Sequence, residues 1–364
     1  WNIGGNSFGS AGVVKSVGTL ANNALSFIAS STEAARIAIV DTIGTTQFLI
    51  GTSSSVATSS VAAASLTVQG TSTMANALTV TGNIQNILNG SLNPVAQATV
   101  TSGNCCVGAA VSGRYIYAVN STQNLFHIFD ATTPAAPVSI NTLSTGAGTN
   151  PAAVSVAGKY AYVPAQGTNQ LLVLDISNPI IPTLVGSTTT GLSPRSIAIS
   201  GHYAYIGAFT SNLFNIVDIT DPTAPQVVAS TTLSGSPGSV AVSGKYLYVL
   251  DSNVNIFQIF DISNPYNPIS ISSLNTIQTP SQIVVQGRYA YIANASLGLQ
   301  IVDLKNPALP TIVATIATGN TANGISVAGR YAYVVNNSGN TLAVVDVSSS
   351  TLPVLVGSST TAVT

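Results

Sequence analysis

Residues 201–218 read GHYAYIGAFTSNLFNIVD, and this stretch decides the fold because its pattern recurs along the chain. It opens with Gly-basic-Tyr-x-Tyr and ends with Ile-Val-Asp. Five further copies of the opening pattern begin at the glycines Gly113, Gly158, Gly244, Gly287 and Gly329. The six glycines are 45, 43, 43, 43 and 42 residues apart. Such regular spacing predicts repeated copies of one supersecondary unit.

Each copy contains four segments with the character of a β-strand. One precedes the glycine, the Tyr-x-Tyr segment follows it, an apolar segment ending in Asp comes third, and a turn leads to a fourth, such as residues 183–186. Apolar alternation, β-branched residues and Gly, Asn and Pro at the boundaries all predict strands. Four strands per repeat are typical of a propeller blade. We therefore predict an all-β protein in which residues 92–364 form a six-bladed β-propeller with four-stranded blades.

The third segment of the repeat resembles a known motif. Its core, as in residues 299–303 (LQIVD) and residues 214–218 (FNIVD), is similar to the LVIVD repeat of bacterial and archaeal surface propellers. The resemblance extends over roughly residues 92–360. It implies the propeller fold and says little about activity, because propellers support many unrelated functions.

The repeat also contains most of the charged residues. A basic and an acidic position recur 16 residues apart, or 15 in the fifth copy. The pairs are Arg114 and Asp130, Lys159 and Asp175, His202 and Asp218, Lys245 and Asp261, Arg288 and Asp303, and Arg330 and Asp346. In a hairpin these positions face each other across two strands, and the aspartate can also hold the following turn. We interpret them as structural pairs; a ring of ligand-binding charges is the alternative.

The copies leave one outer strand in excess. Residues 93–100 precede the first copy and resemble an outer strand, as do residues 352–357 at the other end. Either segment can complete the final blade. We hypothesise that the unused one pairs with a neighbouring subunit by strand addition. The alternatives are that it packs on its own blade or begins a seventh blade.

Residues 1–91 lack the repeat and are rich in Ala, Ser, Thr, Gly and Asn. Short strands are predicted at residues 24–28 and 36–40, and a small repeat occurs at residues 66–70 and 78–82. The opening residues 1–9 resemble segments of phage tail-fibre stems and bacterial surface stalks. Because short strands of small residues bury little core alone, we predict a β-rich, oligomer-dependent stalk, either trimeric or polymeric. Disorder is the alternative.

Composition excludes several classes of function. Only 5% of the residues are charged and the net charge is −1, so no basic stripe is available for nucleic acid. No apolar run approaches the roughly 18 residues of a membrane helix. Within the blades, the charges outside the repeat pairs are isolated: Arg195, Asp221, Asp251 and Lys305. Without paired carboxylates or a histidine cluster, we predict no catalytic residue, cofactor or metal site.

Three local features have structural interpretations. His127 lies between phenylalanines, which predicts a packed or edge histidine rather than a catalyst. Residues 251–255 predict an Asx-rich turn, with calcium binding as the less favoured reading. The adjacent Cys105 and Cys106 are expected to be small apolar residues buried in the first blade.

The sequence as a whole favours a structural or adhesive subunit of an extracellular fibre, filament or surface layer. The N-terminal region would assemble, and the propeller would recognise a surface glycan or protein. A virion fibre has the same physical requirements. A soluble secreted propeller that binds a ligand or acts as an enzyme is the main alternative, and a periplasmic scaffold is a third.

Overall fold

The computed structural model describes residues 106–276 and 278–360, together with the backbone of seven strands within residues 1–105. The chain divides into two compact units, Trp1–Asn86 and Ile87–Thr364.

The strands of the first unit form one two-stranded sheet (β1 and β2) and one antiparallel five-stranded sheet (β3 to β7 in order). They are β1 Asn6–Ser7, β2 Val13–Val14, β3 Ala24–Ala29, β4 Thr32–Ile39, β5 Thr46–Ile50, β6 Ala57–Ala62 and β7 Ser65–Val68. The strands expected at residues 24–28 and 36–40 overlap β3 and β4. The small repeat at residues 78–82 and the predicted stalk assembly lie outside the described residues.

The second unit is the six-bladed propeller, and each blade is an antiparallel sheet of four consecutive strands. The first blade contains β8 Cys106–Ser112, β9 Tyr115–Asn120, β10 Leu125–Asp130 and β11 Val138–Ser144. The second contains β12 Ser155–Ala157, β13 Tyr160–Ala165, β14 Gln170–Asp175 and β15 Thr183–Thr189. The third contains β16 Pro194–Ser200, β17 Tyr203–Ala208, β18 Leu213–Asp218 and β19 Gln226–Thr232. The fourth contains β20 Pro237–Ser243, β21 Tyr246–Asp251, β22 Ile256–Asp261 and β23 Ile269–Asn275. The fifth contains β24 Pro280–Gln286, β25 Tyr289–Asn294, β26 Gly298–Asp303 and β27 Thr311–Ile316. The sixth contains β28 Ala322–Ala328, β29 Tyr331–Asn336, β30 Thr341–Asp346 and β31 Val354–Thr360.

The last blade is completed by the C-terminal candidate for the outer strand. Residues 354–360 form β31, which pairs with β30. Every blade therefore consists of strands that are contiguous in sequence, and none of the six borrows a strand from the other end of the chain. The alternative candidate, residues 93–100, lies outside the described residues.

Turn chemistry explains the regular hairpins. Each repeat glycine occupies the first position of a two-residue loop, with φ between 58° and 60°, a conformation that L-residues rarely adopt. At the opposite end of the blades, four-residue loops carry an Asn with φ between 45° and 58° in five of the blades. The fifth blade has a three-residue loop, 295–297. This shorter loop accounts for its 15-residue spacing between the basic and acidic positions.

The core lies between neighbouring blades. Tyr205 and Phe214 of the third blade, for example, form one buried cluster with Leu247, Val249 and Phe260 of the fourth. Four further clusters join the first blade to the second, the second to the third, the fourth to the fifth and the fifth to the sixth. Burial of these apolar faces is the main force that holds the blades side by side.

Candidate functional site

The end of the propeller that carries the glycine loops, called here the glycine end, contains the charged positions of the repeat. In each blade the second and third strands align the tyrosine that follows the basic residue with the aspartate, as in Tyr203 opposite Asp218. Ion pairs form in four blades: Arg114 with Asp130 at 3.4 Å, Lys245 with Asp261 at 2.8 Å, Arg288 with Asp303, and Arg330 with Asp346. The other two pairs, Lys159 with Asp175 and His202 with Asp218, face each other without such a contact among the described residues.

All six aspartates also hold the turn that follows them. Each accepts a hydrogen bond of 2.8–2.9 Å from the backbone N–H two residues later, the geometry of an Asx turn. Side-chain hydrogen bonds, from the hydroxyl two residues later in the first three blades and from the basic residue in the last three, are the main cause that lowers the pKa values of the six carboxyls, and the backbone bonds add to them. Hydrogen bonds from Lys245 and from Ser263 lower the pKa of Asp261 to about 2.

The basic residues contact tyrosine as well. Except for His202, each lies over the ring of the tyrosine that follows it, at 4.9–5.4 Å from the ring centroid. Such cation–π contacts at exposed sites are weak but favourable. Charge at the glycine end is therefore largely compensated within each blade, and this geometry fits the structural interpretation better than a ligand-binding ring.

A channel opens at the opposite end of the propeller. Its volume is about 1040 Å³, and it is lined by residues from five of the innermost strands and by residues 152–154, which lead into the sixth. The position six residues before each repeat glycine contributes to this lining. In five blades a register shift leaves that residue out of the strand pairing. We call these six positions the channel mouth: Val107, Ala152, Arg195, Gly238, Ser281 and Asn323.

Arg195 is the charged residue of the channel mouth. Its guanidinium lies 3.8 Å from the ring centroid of Phe209. The Gln166 amide fits its neighbours when its oxygen faces Arg195, and that oxygen then accepts hydrogen bonds from Nε at 2.8 Å and Nη2 at 3.2 Å. In the sequence Arg195 is one of several isolated charges. Aligning the six copies could have singled it out, because the equivalent positions are Val, Ala, Gly, Ser and Asn.

Next to the channel mouth, polar side chains bridge neighbouring blades. Ser239 Oγ accepts a hydrogen bond from the N–H of Ile283 at 3.2 Å, and Gln282 Oε1 accepts one from Ile325 at 2.7 Å. Ser196 occupies the equivalent position in the third blade. Its Oγ is buried, lines the same channel and has no hydrogen-bond partner among the described residues.

Asp251 is a buried carboxyl in the fourth blade. It is fully buried, and it accepts hydrogen bonds from Gln258 and Ser234. Burial outweighs those bonds and raises its pKa to about 6. The side-chain oxygen of Asn253 accepts a hydrogen bond from the N–H of Ser236 at 2.6 Å, so it already has a partner within the chain. The hydrogen bonds of Asp251 and of Asn253 both favour the interpretation of residues 251–255 as a turn.

Two further expectations concern the first blade. His127 is buried, stacks on Phe129 and hydrogen-bonds Thr142 through Nδ1 at 3.0 Å, which confirms the packed histidine. Cys106 is exposed, so the expectation that it is buried is wrong. The reason is its position at the start of β8, where it lines the open channel. Cys105 lies outside the described residues.

Among the described residues, no group of three or more His, Cys, Asp or Glu side chains is placed to hold a metal ion. The described segments also contain no helix that could cross a membrane.

Comparison with protein families gives a direct result. The LVIVD repeat matches five segments, residues 150–190, 193–232, 234–276, 280–318 and 319–361, which together make up more than half of the chain. The chain belongs to the LVIVD repeat family. These segments coincide with the second to sixth blades of the LVIVD propeller; the first blade is recognised by its strands and pairing.

Solved structures share the fold at low sequence identity. A functionally unknown protein from Desulfotomaculum acetoxidans is 16% identical, with a TM-score of 0.59 over 68% of this chain and 80% of that one. A Bacteroides uniformis protein with the provisional name 6-phosphogluconolactonase is 15% identical, with a TM-score of 0.62 over 68% and 83%. A Lactobacillus plantarum protein is 14% identical, with a TM-score of 0.62 over 85% and 92%. No curated protein matches this chain.

Proposed function

We propose that this LVIVD protein is a non-enzymatic subunit of an extracellular fibre, filament or surface layer. In this proposal the N-terminal region drives self-assembly, as a trimer or as a polymer. The propeller is displayed for decoration or for recognition of a surface glycan or protein. The same architecture serves a virion fibre equally well.

The outer edges of the blades are the observation that carries this proposal. Each blade ends in an outer strand with one hydrogen-bonded neighbour: β11, β15, β19, β23, β27 and β31. None of the six contains Asp, Glu, Lys or Arg. Large apolar side chains on them are exposed, including Val138 (62%), Leu184 (51%), Ile269 (58%) and Val354 (56%).

Edge strands of this kind favour association. An exposed edge presents unpaired N–H and C=O groups, and proteins that stay monomeric usually protect it with lysine, proline or a covering segment. Here six edges carry Val, Leu, Ile, Ser and Thr instead. A surface with so little charge gives weak repulsion between copies. In this proposal the N-terminal region brings the copies together, and the edges then add contacts between neighbouring propellers that are too weak to associate the propellers alone.

Negative-stain electron microscopy of the full chain beside a variant lacking residues 1–91 tests the proposal. Filaments or regular oligomers of the full chain, with single discs for the shortened chain, are the expected result. Single discs in both samples would contradict self-assembly through the N-terminal region.

One observation favours a second candidate, a soluble secreted propeller that binds a ligand. The channel is open and polar, and Arg195 at its mouth has no ion pair among the described residues. Monodisperse discs that bind a small molecule in the channel would support this candidate over the fibre subunit.

A further inference from the structure

We propose that the channel mouth binds a sugar acid, whose carboxylate pairs with Arg195 and whose hydroxyls bond the neutral polar groups of the channel. This inference deepens the proposed recognition role by naming a ligand class. It does not require assembly, because the channel lies within one propeller.

Arg195 differs from the basic residues of the repeat in its surroundings. Four of those residues form ion pairs, whereas Arg195 has none in the described part of the chain. Phe209 and Gln166 contact the guanidinium, and neither side chain carries a negative charge that would compensate it. Gln166 uses two of the five N–H bonds of the arginine, so three remain for a ligand.

The charge of the channel sets the charge of its ligand. Among the described residues, Arg195 is the one charged side chain in the channel lining. A single guanidinium balances a single negative charge, and its two terminal nitrogens match the two oxygens of a carboxylate. A phosphate ester, with nearly two negative charges near neutral pH, would be left half compensated. These arguments favour a carboxylate.

The rest of the lining is suited to hydroxyl groups. Asn150, Ser281, Asn323 and Asn337 lie around the channel with Arg195, and amides and hydroxyls can both donate and accept. Ser196 Oγ, next to Arg195, is buried and has no partner among the described residues, although its equivalents Ser239 and Gln282 each have one. Because this oxygen is not accessible, the exposed amides of Asn150, Asn323 and Asn337 are the groups that would bond the hydroxyls of a ligand.

Isothermal titration calorimetry on the full chain at low salt tests the proposal. The probes are D-glucuronate and D-galacturonate, with glucose as a sugar without charge and propionate as a carboxylate without hydroxyls. We expect at least one uronate to bind, with both control compounds at least tenfold weaker. Arg195→Gln should weaken uronate binding about 10- to 100-fold, since it removes a charge-assisted pair. Arg195→Lys keeps the positive charge but loses the two terminal nitrogens that face a carboxylate together. Its affinity for uronate should therefore lie between those of the wild type and Arg195→Gln.

Lys305→Gln is the matched control. It removes the same charge from an exposed residue after the Asp303 turn at the glycine end, and it should leave uronate binding unchanged. Thermal unfolding of each variant establishes that it is folded. Absence of binding by both uronates, equal binding by folded Arg195→Gln, or equally tight binding of propionate would each overturn the proposal. Filament formation is read separately by microscopy, so a failure here leaves the assembly proposal standing.

Discussion

At the scale of single residues, Asp251 departs furthest from an ordinary surface carboxyl. The equivalent residues in the fifth and sixth blades are Asn294 and Asn336, whose amides donate to backbone carbonyls at 2.8 and 2.9 Å. A carboxyl can imitate such a donor only when it is protonated. This comparison explains why a group with a pKa of about 6 is tolerated at a buried site.

Asp251→Asn should therefore stabilise the protein in a pH-dependent way. The folded-state pKa of about 6 lies above the ordinary 3.8, so the stability that the protonated carboxyl provides is complete below pH 4. It is lost as the pH rises through 6, by about 3 kcal/mol in total. Urea unfolding should show a gain of roughly 2–3 kcal/mol for Asp251→Asn at pH 8 and little change at pH 4. An equal gain at both pH values would contradict a titrating carboxyl.

At the scale of elements, the repeat glycine is required by its loop. Gly201 has a φ of +58°, and a side chain there costs about 1–2 kcal/mol of backbone strain even though no atom is in the way. We expect Gly201→Ala to lower the free energy of unfolding by about that amount. Gly324→Ala is the control, because its φ is not positive and its new methyl would meet neighbours at 3.4–3.9 Å. Equal losses for both variants in urea unfolding would contradict this explanation.

The outer strands give a second prediction at this scale. The double variant Leu184→Lys, Ile269→Lys places positive charge on the exposed edges β15 and β23. It should therefore assemble less than the wild type. Stability should change by no more than about 0.5 kcal/mol, because both side chains are exposed. Ser112→Lys, on an innermost strand, is the control. Sedimentation velocity measures the assembled fraction, and an unchanged fraction would exclude these edges from the contacts.

Elements were the most predictable part of the molecule. The glycine spacing predicts the blades, and the 16-residue offset predicts the hairpin of the second and third strands, because both depend on local turn geometry. The register differs by one residue, since Asp218 lies opposite Tyr203 and not opposite His202. Arg195 and Asp251 could not be interpreted in this way. The role of Arg195 depends on the ring, which brings six distant positions to one channel. Asp251 is buried in the folded blade, where it accepts hydrogen bonds from Gln258 and Ser234, and the sequence around it does not indicate that burial.

At the scale of the whole molecule, the interfaces between blades are not equivalent. The second tyrosine of Tyr-x-Tyr faces the next blade, and in the first five blades it is buried, with 3–5% exposure. Tyr333 of the sixth blade is half-buried, and Val335, two residues later, is 50% exposed. By equivalence these residues face the first blade. The five buried clusters join the other neighbouring blades, and none of them joins the sixth blade to the first among the described residues.

This difference predicts where the ring is weakest. Tyr205→Ala removes a fully packed ring and should cost about 3–5 kcal/mol, the range for buried aromatic residues. Tyr333→Ala removes the same atoms from a half-buried site and should cost about half as much, because less apolar area is lost from the core. Urea unfolding of the pair compares the two interfaces directly, and hydrogen exchange should be faster in β28–β31 than in β16–β19. Equal costs and equal exchange would show that the ring closes as tightly as its blades pack elsewhere.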